Sequence, residues 1–225
     1  MNTIFALASG PGRSGIAVFR LSGPESGEAL ERLTGEVLPM ARVANRVRFR
    51  DPKSHDVLDH GLCLWFPGPE SYTGEDVAEF HVHGGRAVCD AMTTAFLAIP
   101  GVRPAEPGEF TRRAFEFGKM DLTEAEAIAD LVDAETAAQR RQALRQMDGA
   151  LGALYEDWRG RLIQSLAYME AWIDFPDEEL PTDVISTVRS GIAALRAEFD
   201  RHLSDRGRGE RLRDGIHIAI IGDPN

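Results

Sequence analysis

The sequence predicts an α+β domain over residues 1–118, an all-α helical region over 119–212, and the first strand of an α/β nucleotide-binding domain over 213–225. Three observations carry this. Short apolar runs alternating with Gly- and Pro-rich turns dominate the first half. After Lys119 the apolar residues recur at helical spacing. Last, the run Ile216-His217-Ile218-Ala219-Ile220-Ile221 leads straight into Gly222-Asp223-Pro224-Asn225, as a buried strand leads into a phosphate-binding loop.

In order along the chain, Thr3–Ser9 reads as a strand, and the turn Gly10-Pro11-Gly12-Arg13-Ser14-Gly15 delivers a second strand, Ile16–Leu21. Consecutive backbone N–H groups in such a turn could cradle an anion, but two flanking strands make it a hairpin turn instead. Ala29, Leu30 and Leu33 share one face of a short helix that Gly35 closes. Strands follow at Val57–Phe66 and Val77–His83, separated by Pro67-Gly68-Pro69-Glu70-Ser71-Tyr72-Thr73-Gly74. Helices are expected over 85–98 and 107–117, the second with Pro107 in its first turn. Thr123 and Glu126 have capping-box spacing, and Ile128, Leu131 and Val132 continue a helical face. Helical pattern runs through Leu144, Met147, Leu151, Leu154 and Trp158 and resumes from Leu162 to Phe175, where Pro176 stops it. Val184–Leu203 is a further amphipathic helix, and Arg206-Gly207-Arg208-Gly209 reads as a hinge.

Composition excludes several classes. With 43% hydrophobic and 27% charged residues the chain is globular. It shows neither a membrane-spanning run nor a secretory leader, and Cys63 and Cys89 do not form a CxxC motif. Both thiols read as structural in a reducing, cytoplasmic compartment. The net charge of −11 is concentrated in residues 121–200, which hold 7 basic and 17 acidic side chains. No broad basic field is present, so an RNA partner would have to be held by a small local patch, by further domains or by another protein.

Four features are candidates for chemistry. His81 and His83 share a strand face, but no third ligand is at hand for a metal, and hydrogen-bonding or packing roles fit them better. Glu79 lies on that same face, suited to accept paired N–H donors such as a heterocycle edge; a solvated outward face accounts for it equally well. Arg20 ends an apolar strand, where burial would demand an anionic partner and an edge position would demand nothing. Lys119 is one of only two lysines among 25 basic residues. It lies between the two predicted domains, where a ligand cleft is common and a surface lysine is ordinary.

Several stretches together resemble one family, the MnmE (TrmE) tRNA modification GTPases. They are Thr3–Ala8 with Pro11–Gly23, Leu64–Pro69, Ser71–Asp76 through His83-Gly84-Gly85, Pro107–Thr111, Gly118–Ala127 and Gly222–Asn225. The resemblance implies an N-terminal folate-binding domain of aminomethyltransferase-like fold that forms a homodimer, then a helical domain into which a Ras-like GTPase domain is inserted. It implies a partner of the MnmG (GidA) type, an FAD protein. With it the family adds an aminomethyl-type group, such as carboxymethylaminomethyl, to C5 of the wobble uridine of certain tRNAs. The one-carbon unit comes from 5-formyl- or 5,10-methylene-tetrahydrofolate. Position by position, Arg20, Glu79 and Lys119 match the family's folate contacts. Glu79 would accept from the pterin N–H groups, while Arg20 and Lys119 would face the folate's polar and carboxylate parts. Asn225 matches a loop asparagine that contacts GTP and a potassium ion, K+ supplying transition-state charge beside Mg2+. The lysine and Ser/Thr of the phosphate-binding loop would lie beyond Asn225, so a GTP hydrolase of this family is expected to be inactive in the 225 residues alone. A stand-alone folate-dependent one-carbon transferase and a non-enzymatic dimerisation module are the rival readings.

Overall fold

The computed structural model describes residues 2–174, 184–204 and 221–222. The predicted C-terminal strand, the hinge and Asn225 thus lie outside the described residues, apart from Ile221 and Gly222. The chain divides into two compact units, Met1–Met120 and Asp121–Asn225.

The first unit is a six-stranded mixed sheet with helices. Its strands are β1 (Thr3–Leu7), β2 (Ser14–Ser22), β3 (Asn45–Arg50), β4 (Val57–Phe66), β5 (Val77–Gly84) and β6 (Val102–Pro104). Their order across the sheet is β3-β4-β5-β2-β1-β6. Only the β1–β6 pair is parallel. Residues 8–13 join antiparallel β1 and β2 as a hairpin connection, and Ser14 and Gly15 already belong to β2. Helices α1 (Ser26–Thr34) and α2 (Arg86–Leu97) contribute Ala29, Leu30, Leu33, Met92, Ala95 and Phe96 to the core. Alternation decides which strand residues meet them: Ala17, Phe19 and Leu21 on β2, Val47 and Phe49 on β3, and Ala78, Phe80 and Val82 on β5. Phe5, Phe19 and Phe80 each bring a ring to within 5.0–5.6 Å of the Phe96 ring, centroid to centroid. Gly35 at φ 70° ends α1, its N–H bonding to Glu31 O as the Gly35 signal predicts.

Three elements of this unit depart from expectation, among them the short strand β6, for which no strand was expected. Helix α3 spans Glu109–Glu116 and opens on Gly108 at φ 72°, so Pro107 precedes the helix instead of occupying its first turn. Glu109 starts the helix because its carboxylate accepts the Glu106 N–H at 2.9 Å. Strand β3 was not expected at all, although Asn45-Arg46-Val47-Arg48-Phe49-Arg50 alternates polar and apolar residues as a half-buried edge strand does.

Cys63 is 1% exposed, and burial, with Glu36 nearby, pushes its thiol up to about 11. Only the thiolate is reactive, so a disulfide reagent at pH 8 is expected to label Cys89 in the native chain and Cys63 only after denaturant. Native labelling of both at equal rates would contradict this burial.

The second unit is helical: α4 (Leu122–Val132), α5 (Ala137–Met147), α6 (Ala150–Asp174) and α7 (Val184–Leu203). The capping box lies two residues earlier than Thr123–Glu126. Asp121 accepts the Glu124 N–H at 2.8 Å, and Glu124 accepts the Asp121 N–H at 2.7 Å. Thr123 instead donates to Asp121 Oδ1 at 2.8 Å. Thr136 and Gln139 form a second capping box that starts α5. Helix α6 runs unbroken across the pattern gap at Gly160. It lies antiparallel to α7, since Trp158 meets Phe199 and His202 while Arg161 meets Glu198. No helix among the described residues is long and apolar enough to cross a membrane.

Candidate functional site

The sheet faces differ. One is packed by α1 and α2, whereas the other carries Ile16, Val18 and Arg20 on β2, Leu62 and Leu64 on β4, and Glu79 and His81 on β5. At the end of this second face α3 and the loop 67–76 contribute a polar layer, while Ile16 and Leu62 remain 65% and 41% exposed.

Register places Arg20 directly opposite Glu79 on adjacent central strands. Arg20 donates from Nε and Nη2 to the same carboxylate oxygen, Glu79 Oε1, at 3.0 and 2.8 Å. The other oxygen, Oε2, faces His81 Nε2 at 3.3 Å. Glu79 is therefore a partly buried acceptor held in place by a fork, with Oε2 only weakly engaged. Of the two readings of Arg20, the structure realises the one with an anionic partner. The Arg20 guanidinium also lies 5.2 Å from the centre of the Tyr72 ring, within cation–π range. The Tyr72 hydroxyl is 3.0 Å from that of Thr111 on α3.

The loop 67–76 that supplies Tyr72 is bound on both sides. Lys119 Nζ donates to Pro69 O at 2.8 Å. Gly74 sits at φ 85°, where a Cβ would come within 3.2 Å of Phe117 Cβ and 3.4 Å of the Lys119 stem, so glycine alone lets Lys119 lie along the loop. Thus the structure joins Arg20 to Glu79 directly and connects Lys119 to the loop that stacks on Arg20. Asn225 lies outside the described residues. His83 turns away from Glu79 to Asp59, at 2.9 Å. Backbone and side-chain bonds from His83 and His60 hold Asp59 below the usual carboxylate range in spite of burial.

Beneath the loop lies a charge network whose motifs the sequence displayed without revealing their connection. Arg113 on α3, 2% exposed, donates to both Glu75 oxygens at 3.1 and 3.0 Å, to Glu109 Oε1 at 3.0 Å and to Asn2 O at 2.9 Å. Glu109 in turn accepts from Arg103 at 2.8 and 2.5 Å. Ser22 bridges Glu75 and Thr73 at 2.8 and 2.7 Å. The family-like stretches Ser71–Asp76 and Pro107–Thr111 contain Glu75 and Glu109, but nothing in the sequence joined them to each other or to Arg113.

The Arg103 bonds, aided by the Glu106 N–H and Arg113, hold the Glu109 carboxyl at about 2 against an ordinary 4.5. A depressed carboxylate stabilises the fold fully above its unfolded value and loses that contribution as pH falls from about 4.5 through about 2. The contribution is on the order of 3 kcal/mol. Urea midpoints from pH 7 to 2 are expected to fall steeply below pH 4.5 in the native sequence and less steeply in Glu109→Gln. Parallel curves would exclude Glu109 as a contributor to acid sensitivity.

Comparison with known proteins identifies the family of the chain. A family model described as the GTP-binding protein TrmE N-terminus matches residues 3–119, more than half of the chain. A model of the MnmE helical domain matches residues 122–223. The tRNA modification GTPase MnmE of Parvibaculum lavamentivorans is 60% identical over 225 residues, covering 100% of this chain and 51% of that protein. The MnmE of Paramagnetospirillum magneticum is 62% identical over 223 residues, covering 99% and 50%. A mitochondrial human protein, 5-taurinomethyluridine-[tRNA] synthase subunit GTPB3, is 54% identical over 225 residues, covering 99% and 46%. The chain spans about half the length of the curated relatives it matches. With both halves accounted for, the chain belongs to the MnmE (TrmE) family of tRNA modification GTPases.

Proposed function

We propose that the first unit of this chain binds a reduced folate, 5-formyl- or 5,10-methylene-tetrahydrofolate, through Glu79, Arg20 and Lys119. The observation that carries this reading is the Arg20–Glu79 pair. A carboxylate is clamped at one oxygen on an open sheet face, leaving the other for a ligand's N–H groups. Tyr72 and His81 extend the set, one on the guanidinium and one at 3.3 Å from the second, weakly engaged carboxylate oxygen. Exposed Ile16 and Leu62 on the same face support a homodimer formed through this domain.

In the longer cytoplasmic protein, this domain serves a GTP-hydrolysing machine that needs K+ and Mg2+ and includes Asn225 in its nucleotide and potassium site. It acts with an FAD-containing MnmG-type partner to add a carboxymethylaminomethyl-type group to C5 of the tRNA wobble uridine. The names of the relatives support the tRNA and GTPase parts. Folate, flavoprotein and ions rest on the family resemblance.

Calorimetric titration of the 225-residue chain with 5-formyltetrahydrofolate tests the site. Saturable binding that Glu79→Ala weakens strongly is the expected result. Equal binding by both chains, or by neither, would remove Glu79 from the site.

A further inference from the structure

Edge strand β3 carries Arg46, Arg48 and Arg50 two residues apart. Together with His60, Thr34 and Glu36 they line a groove of about 480 Å3. Register sets His60 opposite Arg48 and Leu62 opposite Arg46. The row then continues through His81, which is opposite Leu62, so this basic strip borders the face that holds Glu79.

What distinguishes the strip is that its charge is not neutralised. The chain holds 36 carboxylates against 25 basic side chains, yet Arg46 and Arg48 are exposed and make no ion pair among the described residues. The aspartates of the same hairpin are engaged elsewhere. Asp51 accepts the Lys53 and Ser54 N–H groups at 2.8 Å. Asp56 accepts from Ser54 at 2.8 Å, and Asp59 is bound by His83. Glu36 is the one carboxylate lining the groove. In an acidic chain, unpaired arginines on one edge are a local positive surface. Strand geometry spaces alternate residues about 6.6–6.8 Å apart along a straight line, and the planar guanidinium fork fits phosphate oxygens.

We propose that the β3 edge, through Arg46, Arg48 and Arg50 with His60, docks the phosphate backbone of an RNA alongside the Glu79 face. The identity of that RNA as a tRNA rests on the function proposed above; the phosphate chemistry of the strip does not. Three backbone contacts make a weak, sequence-independent and salt-sensitive surface. Of the three ways in which an acidic chain could hold RNA, it is the small local patch.

The test compares the native 225-residue chain with Arg46→Ser/Arg48→Ser, two exposed positions whose loss leaves the core intact. Fluorescence anisotropy is read with a labelled tRNA transcript and with labelled oligouridine between 25 and 200 mM KCl. Loss of two phosphate contacts is expected to flatten the slope of log K against log salt by about 1.4–1.8 and to weaken binding at least about tenfold at 50 mM salt. Circular dichroism and 5-formyltetrahydrofolate binding should not change. Equal slopes for the two chains would overturn the proposal, as would absence of RNA binding by the native chain. If the double variant keeps RNA binding but loses binding to polyglutamate, the strip is a surface for an acidic protein and the RNA proposal fails. If it precipitates while its soluble fraction binds RNA normally, the arginines only guard a sheet edge, and the proposal fails again. Folate binding is read separately, so loss of the RNA effect with folate binding retained discards this strip alone. An RNA effect without folate binding discards the folate site and keeps the strip.

Discussion

Arg113→Ala is expected to destabilise the first unit by about 3–5 kcal/mol, the usual cost of removing one partner from a buried ion pair. The side chain is 3% exposed, and its partners Glu75 and Glu109 are 8% and 2% exposed. Alanine would remove donors from two buried carboxylates and from the Asn2 carbonyl at once. Arg103 still compensates Glu109, but Glu75 keeps only the Ser22 hydroxyl. Lysine is a poor replacement, because one ammonium cannot reproduce the separate Nη1 and Nη2 contacts. Hydrogen exchange with peptide-level mass spectrometry is the appropriate measurement, since it reports the first unit independently of the helices. Amides of β2 and β5 should lose protection by roughly two to four decades at neutral pH, at 1.4 kcal/mol per decade. Arg112→Ala provides the contrast. Its pairs with Glu106 and Glu116 are exposed, and it reaches the buried Glu109 only at 3.8 Å from a side chain that is 54% exposed, so the change should stay within about 1 kcal/mol. Equal effects of the two substitutions would mean that the network contributes nothing beyond surface charge.

The network also shows where sequence reading stops. Strands β1, β2, β4 and β5 and helices α1, α2 and α7 were legible because period and turn residues agree locally. Edge strand β3 was legible in principle, but its arginines obscured a regular alternation around Val47 and Phe49. The capping box was misplaced by two residues because Thr123 and Asp121 both have a good acceptor three residues ahead of a carboxylate. Only backbone geometry chose Asp121. Glu79 and Arg20 were each visible as strand residues with two open readings. They are 59 positions apart, and the decision between those readings depended on the non-consecutive pairing of β2 with β5. Local pattern carries no information about that pairing. The same limit hid the link from Glu75 to Arg113, 38 positions away.

The pairing of Arg20 with Glu79 turns the proposed site into a quantitative expectation. Glu79→Ala should raise the dissociation constant for 5-formyltetrahydrofolate about 30-fold or more, because truncating a hydrogen-bonded buried charge costs roughly 2 kcal/mol upward. Arg20 has two possible roles. If it contacts the ligand itself, its loss and that of Glu79 should add. If instead it holds the carboxylate in place, as Nε and Nη2 both bonding Oε1 suggests, then Arg20→Ala weakens binding only through Glu79. The Arg20→Ala/Glu79→Ala double variant would then bind no worse than Glu79→Ala alone. Glu79→Gln separates charge from shape: an amide can still accept at one oxygen, but its NH2 group would face either Arg20 or the ligand's donors. It should therefore lose nearly as much as alanine. A glutamine variant that binds like the native chain would show that the residue fills space without accepting from the ligand. Strictly additive losses in the double variant would place the Arg20 guanidinium on the folate instead of behind Glu79.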